Sequence, residues 1–226
     1  LGARAHDAPF NNTFSTANNG TDEENAGSAV GHDVSFSSDV GNGVHYNSPS
    51  FNGFTLDVSI GGSDTEGGLG ERWGSKVKYS GDFNGTAVKA HGQFANIAGD
   101  DTATDAVWNV GVGFELASGI NFDAGYGQME MATGSLMDPE AYQISIGYDS
   151  KEFSSMGETS VQLVYGDQSE VVADTGDWNQ VALNIEQDLS DYGTSIFGGI
   201  ARQEYSISGT DYEDVTTTWL GMKVSF

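Results

Sequence analysis

Tyr142-Gln143-Ile144-Ser145-Ile146-Gly147-Tyr148-Asp149 sets the rhythm of the whole chain. Tyr142, Ile144, Ile146 and Tyr148 alternate with Gln143, Ser145, Gly147 and Asp149. A period of two places each set on its own face of an extended strand. The same beat runs outward in both directions. It is seen in Trp108/Val110/Val112/Phe114/Leu116 and Ile120/Phe122/Ala124/Tyr126 upstream, and in Val161/Leu163/Tyr165, Val181/Leu183/Ile185 and Leu220/Met222/Val224/Phe226 downstream. Phe54/Leu56/Val58/Ile60 and Trp73/Val77/Tyr79 complete it.

This rhythm predicts about eleven strands, near 43–48, 53–61, 72–80, 85–95, 105–117, 119–131, 140–150, 158–167, 177–188, 194–206 and 214–226. The end of a twelfth is expected in residues 1–7. Residues 1–41 are otherwise aperiodic and rich in Gly, Asn, Ser and Thr, so 1–41 reads as a loop segment and 42–226 as a single β domain. Spacers alternate between a mostly short set (48–52, 81–84, 117–119, 152–157, 188–193) and a longer, more acidic set (62–71, 97–104, 132–139, 167–176, 208–213). Pro9, Pro49 and Pro139 all fall outside the strand centres, as a ladder of backbone hydrogen bonds requires.

An antiparallel meander with one apolar face is either a soluble sandwich or small barrel, apolar side in, or a membrane barrel, apolar side out to lipid. Three features favour the second. Aromatic residues gather toward strand ends (Tyr46, Trp73, Tyr79, Trp108, Tyr142, Tyr148, Tyr165 and Trp178), which suits girdles at the two lipid–water boundaries. The polar face carries Gly, Gln and Asn rather than the Lys and Glu of a solvent face. The alternation of short and long connections suits a barrel with turns on one rim and loops on the other.

The 226 residues include 32 Gly, no Cys, 8 Lys+Arg and 33 Asp+Glu, a formal charge of −25. No apolar run reaches the ~18–20 residues of a spanning helix, and so much Gly disfavours helical domains. The negative charge opposes binding to nucleic acid or anionic headgroups. Absence of Cys excludes disulfides, thiolate metal sites and cysteine nucleophiles. No G-x-S-x-G, H-E-x-x-H or Walker segment occurs, so nothing points to an enzyme or to a bound cofactor.

Gly43-Val44-His45-Tyr46-Asn47-Ser48-Pro49-Ser50-Phe51-Asn52-Gly53-Phe54 resembles the Y-x-S-P-x-F-x-G-F hairpin of Gram-negative general porins. Leu1-Gly2 through Asp7-Ala8-Pro9-Phe10 is similar to the end of the strand that precedes their constriction loop. Trp219-Leu220-Gly221-Met222-Lys223-Val224-Ser225-Phe226 resembles the outer-membrane assembly signal, with Leu220, Met222, Val224 and Phe226 in alternation. The resemblance implies an antiparallel up-and-down transmembrane β-barrel, 16-stranded in the family, trimeric, and active in passive diffusion. Eleven or twelve strands leave room for about five more, on the order of 80–100 residues, so the chain is expected to be the C-terminal two-thirds of such a barrel.

By strand phase, Arg72, Lys76, Lys78, Lys89, His91 and Gln93 fall on the polar face of two neighbouring strands. The resemblance makes Asp22, Glu23 and Glu24 part of the constriction loop. Basic wall and acidic loop would together set a transverse field that orders water and selects small polar solutes. His45 reads as another lumen group, Arg202 and Lys223 as further candidates. The expected activity is diffusion of ions and small hydrophilic solutes through an outer-membrane pore, with cations preferred on account of the net charge. Acids in the longer loops (Asp64, Glu66, Asp100, Asp101, Asp105, Asp167, Glu170, Asp174, Asp177, Asp211, Glu213, Asp214) could hold Ca²⁺ or Mg²⁺ weakly and bridge to lipopolysaccharide, although solvated charge is the plainer reading. Two other classes stay open: a plugged barrel acting as adhesin or surface receptor through those loops, and a secreted acidic β-protein.

Overall fold

Two dipeptides show how the sequence forces the chain back on itself. Asn52-Gly53 and Asn84-Gly85 adopt positive φ at both residues (50° and 85°, 54° and 83°). This conformation twists a two-residue turn in the sense of its flanking strands. Phe51 and Phe54 exchange both backbone hydrogen bonds across the first turn (2.8 and 2.9 Å). Asp82 Oδ1 accepts from Gly85 N–H at 3.0 Å beneath the second.

The computed structural model describes residues 42–62, 72–96, 104–131, 138–169, 176–189, 192–207, 210–211 and 213–224. The expected loop segment 1–41, with Asp22, Glu23 and Glu24, lies outside them, as does Phe226. Described strands are β1 (Asn42–Asn47), β2 (Phe54–Gly62), β3 (Arg72–Phe83), β4 (Thr86–Asn96), β5 (Thr104–Leu116), β6 (Ile120–Met131), β7 (Glu140–Ser150), β8 (Thr159–Ser169), β9 (Gly176–Leu189), β10 (Thr194–Ile207), β11 (Thr210–Asp211) and β12 (Val215–Val224).

Each strand from β1 to β10 pairs antiparallel with the next, and β12 pairs with β10 as β11 does. Thr210 and Asp211 oppose Ile207 and Ser206, while β12 opposes Thr194–Gln203, so β11 and β12 are two pieces of one last strand. All eleven expected segments are therefore strands of one up-and-down sheet. Among the described residues the sheet is open rather than closed: β1 pairs only with β2, and β12 only with β10.

Burial decides which way the sheet faces. Along β7 burial alternates without a break from Glu140 to Tyr148, and from Tyr142 onward the apolar set is the exposed one and the polar or small set the buried one. Gln143 is 3% exposed and Ile144 is 53% exposed. Asp57, Ser59, Asn109, Asn121, Asp123, Ser145, Gln168 and Gln180 are buried likewise. With no second layer on the sheet among the described residues, such burial means that the polar side chains crowd one another on a concave face. Large exposed apolar side chains appear on every strand from β1 to β10 except β4, and again on β12. A contiguous greasy surface of this extent is not a solvent face.

Exposed and half-buried rings form two rows. Trp73–Phe94, Trp108–Tyr126 and Tyr142–Tyr165 pair at centroid distances of 5.1, 5.3 and 5.9 Å toward the ends that lead into the longer connections. Phe54–Tyr79 and Tyr148–Phe153, at 4.7 and 5.6 Å, lie at the short-turn ends. Trp178 corrects the expected girdle: it opposes Gln168 and Tyr205 in register, which puts it on the polar face with buried Gln168.

One turn carries a stability prediction. Gly119 sits at φ +88°, and a Cβ there would stand 2.0 Å from the Asp149 carbonyl oxygen. Gly119→Val should cost at least about 1–3 kcal/mol, read as a lower urea midpoint with an unchanged slope. Gly85→Val, at φ +83° but with a Cβ in ordinary contact with Ala117 at 3.7 Å, should cost less.

Candidate functional site

The concave face is a lattice of short polar side chains, and register shows why its residues are small. A concave surface converges its side chains, so long ones need a glycine to lie over. Asn121 lies over Gly147, whose Cβ would be 2.3 Å from Asn121 Oδ1. The amide then donates to Asp149 Oδ2 at 3.0 Å. Ser145 Oγ donates to Asp123 Oδ2 at 3.0 Å and accepts from Gln162 Nε2 at 3.3 Å. Gln203 Nε2 donates to Gln180 Oε1 at 2.8 Å. Cross-strand bonds of this kind satisfy buried polar groups that would otherwise be costly in a low dielectric.

The expected basic residues share this face. Lys76 opposes Asp57 on one side and Gln93 on the other, and Lys78 opposes Thr55 and His91. Lys89 opposes Ser80 and Gly113. Lys78 Nζ is 2.7 Å from Asp57 Oδ2, and Asn47 Nδ2 also donates to Asp57 Oδ1. His91 Nε2 is 3.0 Å from Asn109 Oδ1, and His45 Nδ1 is 2.8 Å from Ser59 Oγ. Arg72 begins β3 opposite Gly61 in the same phase. β3 and β4 thus bring Lys76, Lys78, Lys89, His91 and Gln93 together as one patch.

Among the charged residues on the rest of the face, acids prevail. Glu115, Asp123, Asp149, Glu186 and Asp188 occupy polar-face positions on β5, β6, β7 and β9. Lys223 joins them from β12, opposite Ser195. Arg202 does not: it opposes Val181 and Thr216 on the apolar face, where it donates to Asp214 and lies 3.3 Å from Glu204 Oε1. Leu220, Met222 and Val224 of the terminal stripe are on the apolar face, Leu220 the most exposed at 84%.

Sequence reasoning missed one part of the site. The polar face of β10 and β12 carries two large rings, each over a glycine of the other strand. Trp219 covers Gly199 and Phe197 covers Gly221, since a Cβ on either glycine would stand 2.3 Å from the facing ring. Trp219 also packs on buried Val164, Ala182 and Ala201. The signal was present only in register. Ile196-Phe197-Gly198-Gly199-Ile200 breaks the alternation when read alone.

A polar concave face, an apolar convex face and two ring rows describe a sheet solvated by hydrocarbon outside and water inside. The family model of the Gram-negative porins matches residues 2–208. The chain belongs to the Gram-negative porin family. Porins are channel proteins of the bacterial outer membrane, and the fold agrees. An anion-selective porin from Comamonas acidovorans is similar in structure, with a TM-score of 0.56 and 18% identity, over 80% of this chain and 58% of that one. Acinetobacter baumannii OccAB4 is similar with a TM-score of 0.51 and 14% identity, over 80% of this chain and 53% of that one. This porin chain thus spans little more than half the length of the two solved structures. No curated protein matches it.

Proposed function

We propose that the chain forms the wall of an outer-membrane diffusion pore passing ions and small hydrophilic solutes. The observation that carries this reading is the inverted burial of β7, Gln143 covered and Ile144 bare. A pore of this kind needs no nucleophile or cofactor; it needs an aqueous wall whose polar groups are already satisfied, so that solutes pass without being held. The bonded amides and hydroxyls of the concave face supply that. We take Lys76, Lys78, Lys89, His91, Gln93 and, by phase, Arg72 as pore-lining. Asp22, Glu23 and Glu24 are proposed as the constriction that faces them.

Cation preference is part of the proposal. It is supported by the charge of −25 and by the acids of β5 to β9 on the concave face; the anion selectivity of the Comamonas protein belongs to that protein. A homotrimer, contact with lipopolysaccharide and weak divalent cations at the loops complete the reading. The test is reconstitution of the full-length gene product in a planar bilayer. Stepwise ohmic conductance, with a reversal potential favouring cations in a salt gradient, is the expected result. A silent bilayer counts against the pore, and an anion-favouring potential against the charge preference.

A further inference from the structure

We infer that the β9–β10–β12 quarter of the concave face is a subsite for organic ammonium solutes. This rests on the pore reading and names a solute class for it. Phe197 has three neighbours that matter. Gly221 lies beneath its ring, Glu186 is directly opposite on β9, and Trp219 is the diagonal neighbour on β12. Direct partners place Cβ atoms roughly 4.5–5.5 Å apart and diagonal ones roughly 7–8 Å, so two rings and a carboxylate share one small area. Both rings are half-buried, lying against the wall, with the remaining surface turned to the concave side.

The chemistry follows from three parts. A ring face attracts a cation through its quadrupole, most strongly for Trp and once water is displaced. Glu186, with Asp188 two residues on and Asp149 in the same cross-strand row through Ser160, supplies the negative field. Val164, Ala182 and Ala201, buried against Trp219, hold its ring in place against the wall. Asn184, opposite Gly199, adds an amide at the border. Lys223 and Asp188, which oppose Ser195 from its two sides, mark the short-turn end of the subsite. A hydrated K⁺ uses only the carboxylates, and a neutral sugar uses only rings and amides. An alkylammonium ion uses both.

The probe is tetramethylammonium added to the detergent-folded full chain, followed by broadening of its methyl proton signal. Saturable binding is expected, weakened about fivefold or more in Trp219→Leu and in Phe197→Leu. Glu186→Gln should weaken it too, while Trp219→Phe retains most of it. The conservative variant controls for folding, as does resistance of each variant to unfolding by dodecyl sulfate. Binding that is absent, or indifferent to Trp219→Leu in a folded variant, overturns the inference. So does competition by glucose together with indifference to Glu186→Gln, which would make it a neutral-solute site. The two readings fail separately: conducting channels without tetramethylammonium binding remove the subsite alone, and binding with a silent bilayer removes the pore alone.

Discussion

Ile146→Arg should destabilise the lipid-embedded protein by about 2–4 kcal/mol, measured as the urea unfolding equilibrium in phospholipid vesicles. Ile146 is exposed midway along β7, between Tyr142 and Tyr148 of the two ring rows. A guanidinium there has no water and no facing carboxylate among its register partners, Phe122 and Leu163. The long side chain recovers part of the cost by reaching toward a boundary, which is why the effect is smaller than for a charge fixed in hydrocarbon. Gln162→Arg, on the concave face, should cost far less, because that face meets water. If the two variants were equally stable, the assigned orientation of the sheet would be wrong.

Lys76→Glu, Lys78→Glu and Lys89→Glu combined should raise the cation-to-anion permeability ratio by about fivefold or more, read from the reversal potential across a salt gradient. The three lysines lie on adjacent strands of the concave face, so their fields add where a solute passes. Lys78 is compensated by Asp57, and Lys78→Glu alone should shift the potential less than the triple change. The triple change also sets carboxylates against Asp57 in place of the Lys76 and Lys78 ammonium groups, so folding of the variant must be checked first. An unchanged potential in a folded channel would place these lysines away from the narrow path.

Much of this architecture was written in the sequence because the period of two is a property of each strand by itself. Val110 and Ile144 announce their face through their immediate neighbours, and the Asn-Gly pairs at 52–53 and 84–85 announce their turns through backbone sterics. The facing of Lys76, Lys78, Lys89, His91 and Gln93 was legible for the same reason. What needs two strands at once was not. Trp178 sits near a strand end like the girdle aromatics, and only its register against Gln168 shows that it points the other way. Phe197 and Trp219 are tolerated on a crowded concave wall because glycines oppose them, a fact absent from either strand alone. The facing of Arg202 was obscured by the broken alternation of its own strand and became clear from Val181 across the ladder.

The two rows of rings act as a fixed ruler. Strands locked side by side by backbone hydrogen bonds cannot tilt singly, as a lone helix can, to suit a thicker or thinner membrane. Where the surrounding lipid does not match the spacing from Trp73, Trp108 and Tyr142 to Tyr79 and Tyr148, it is the lipid that must stretch or thin around the wall.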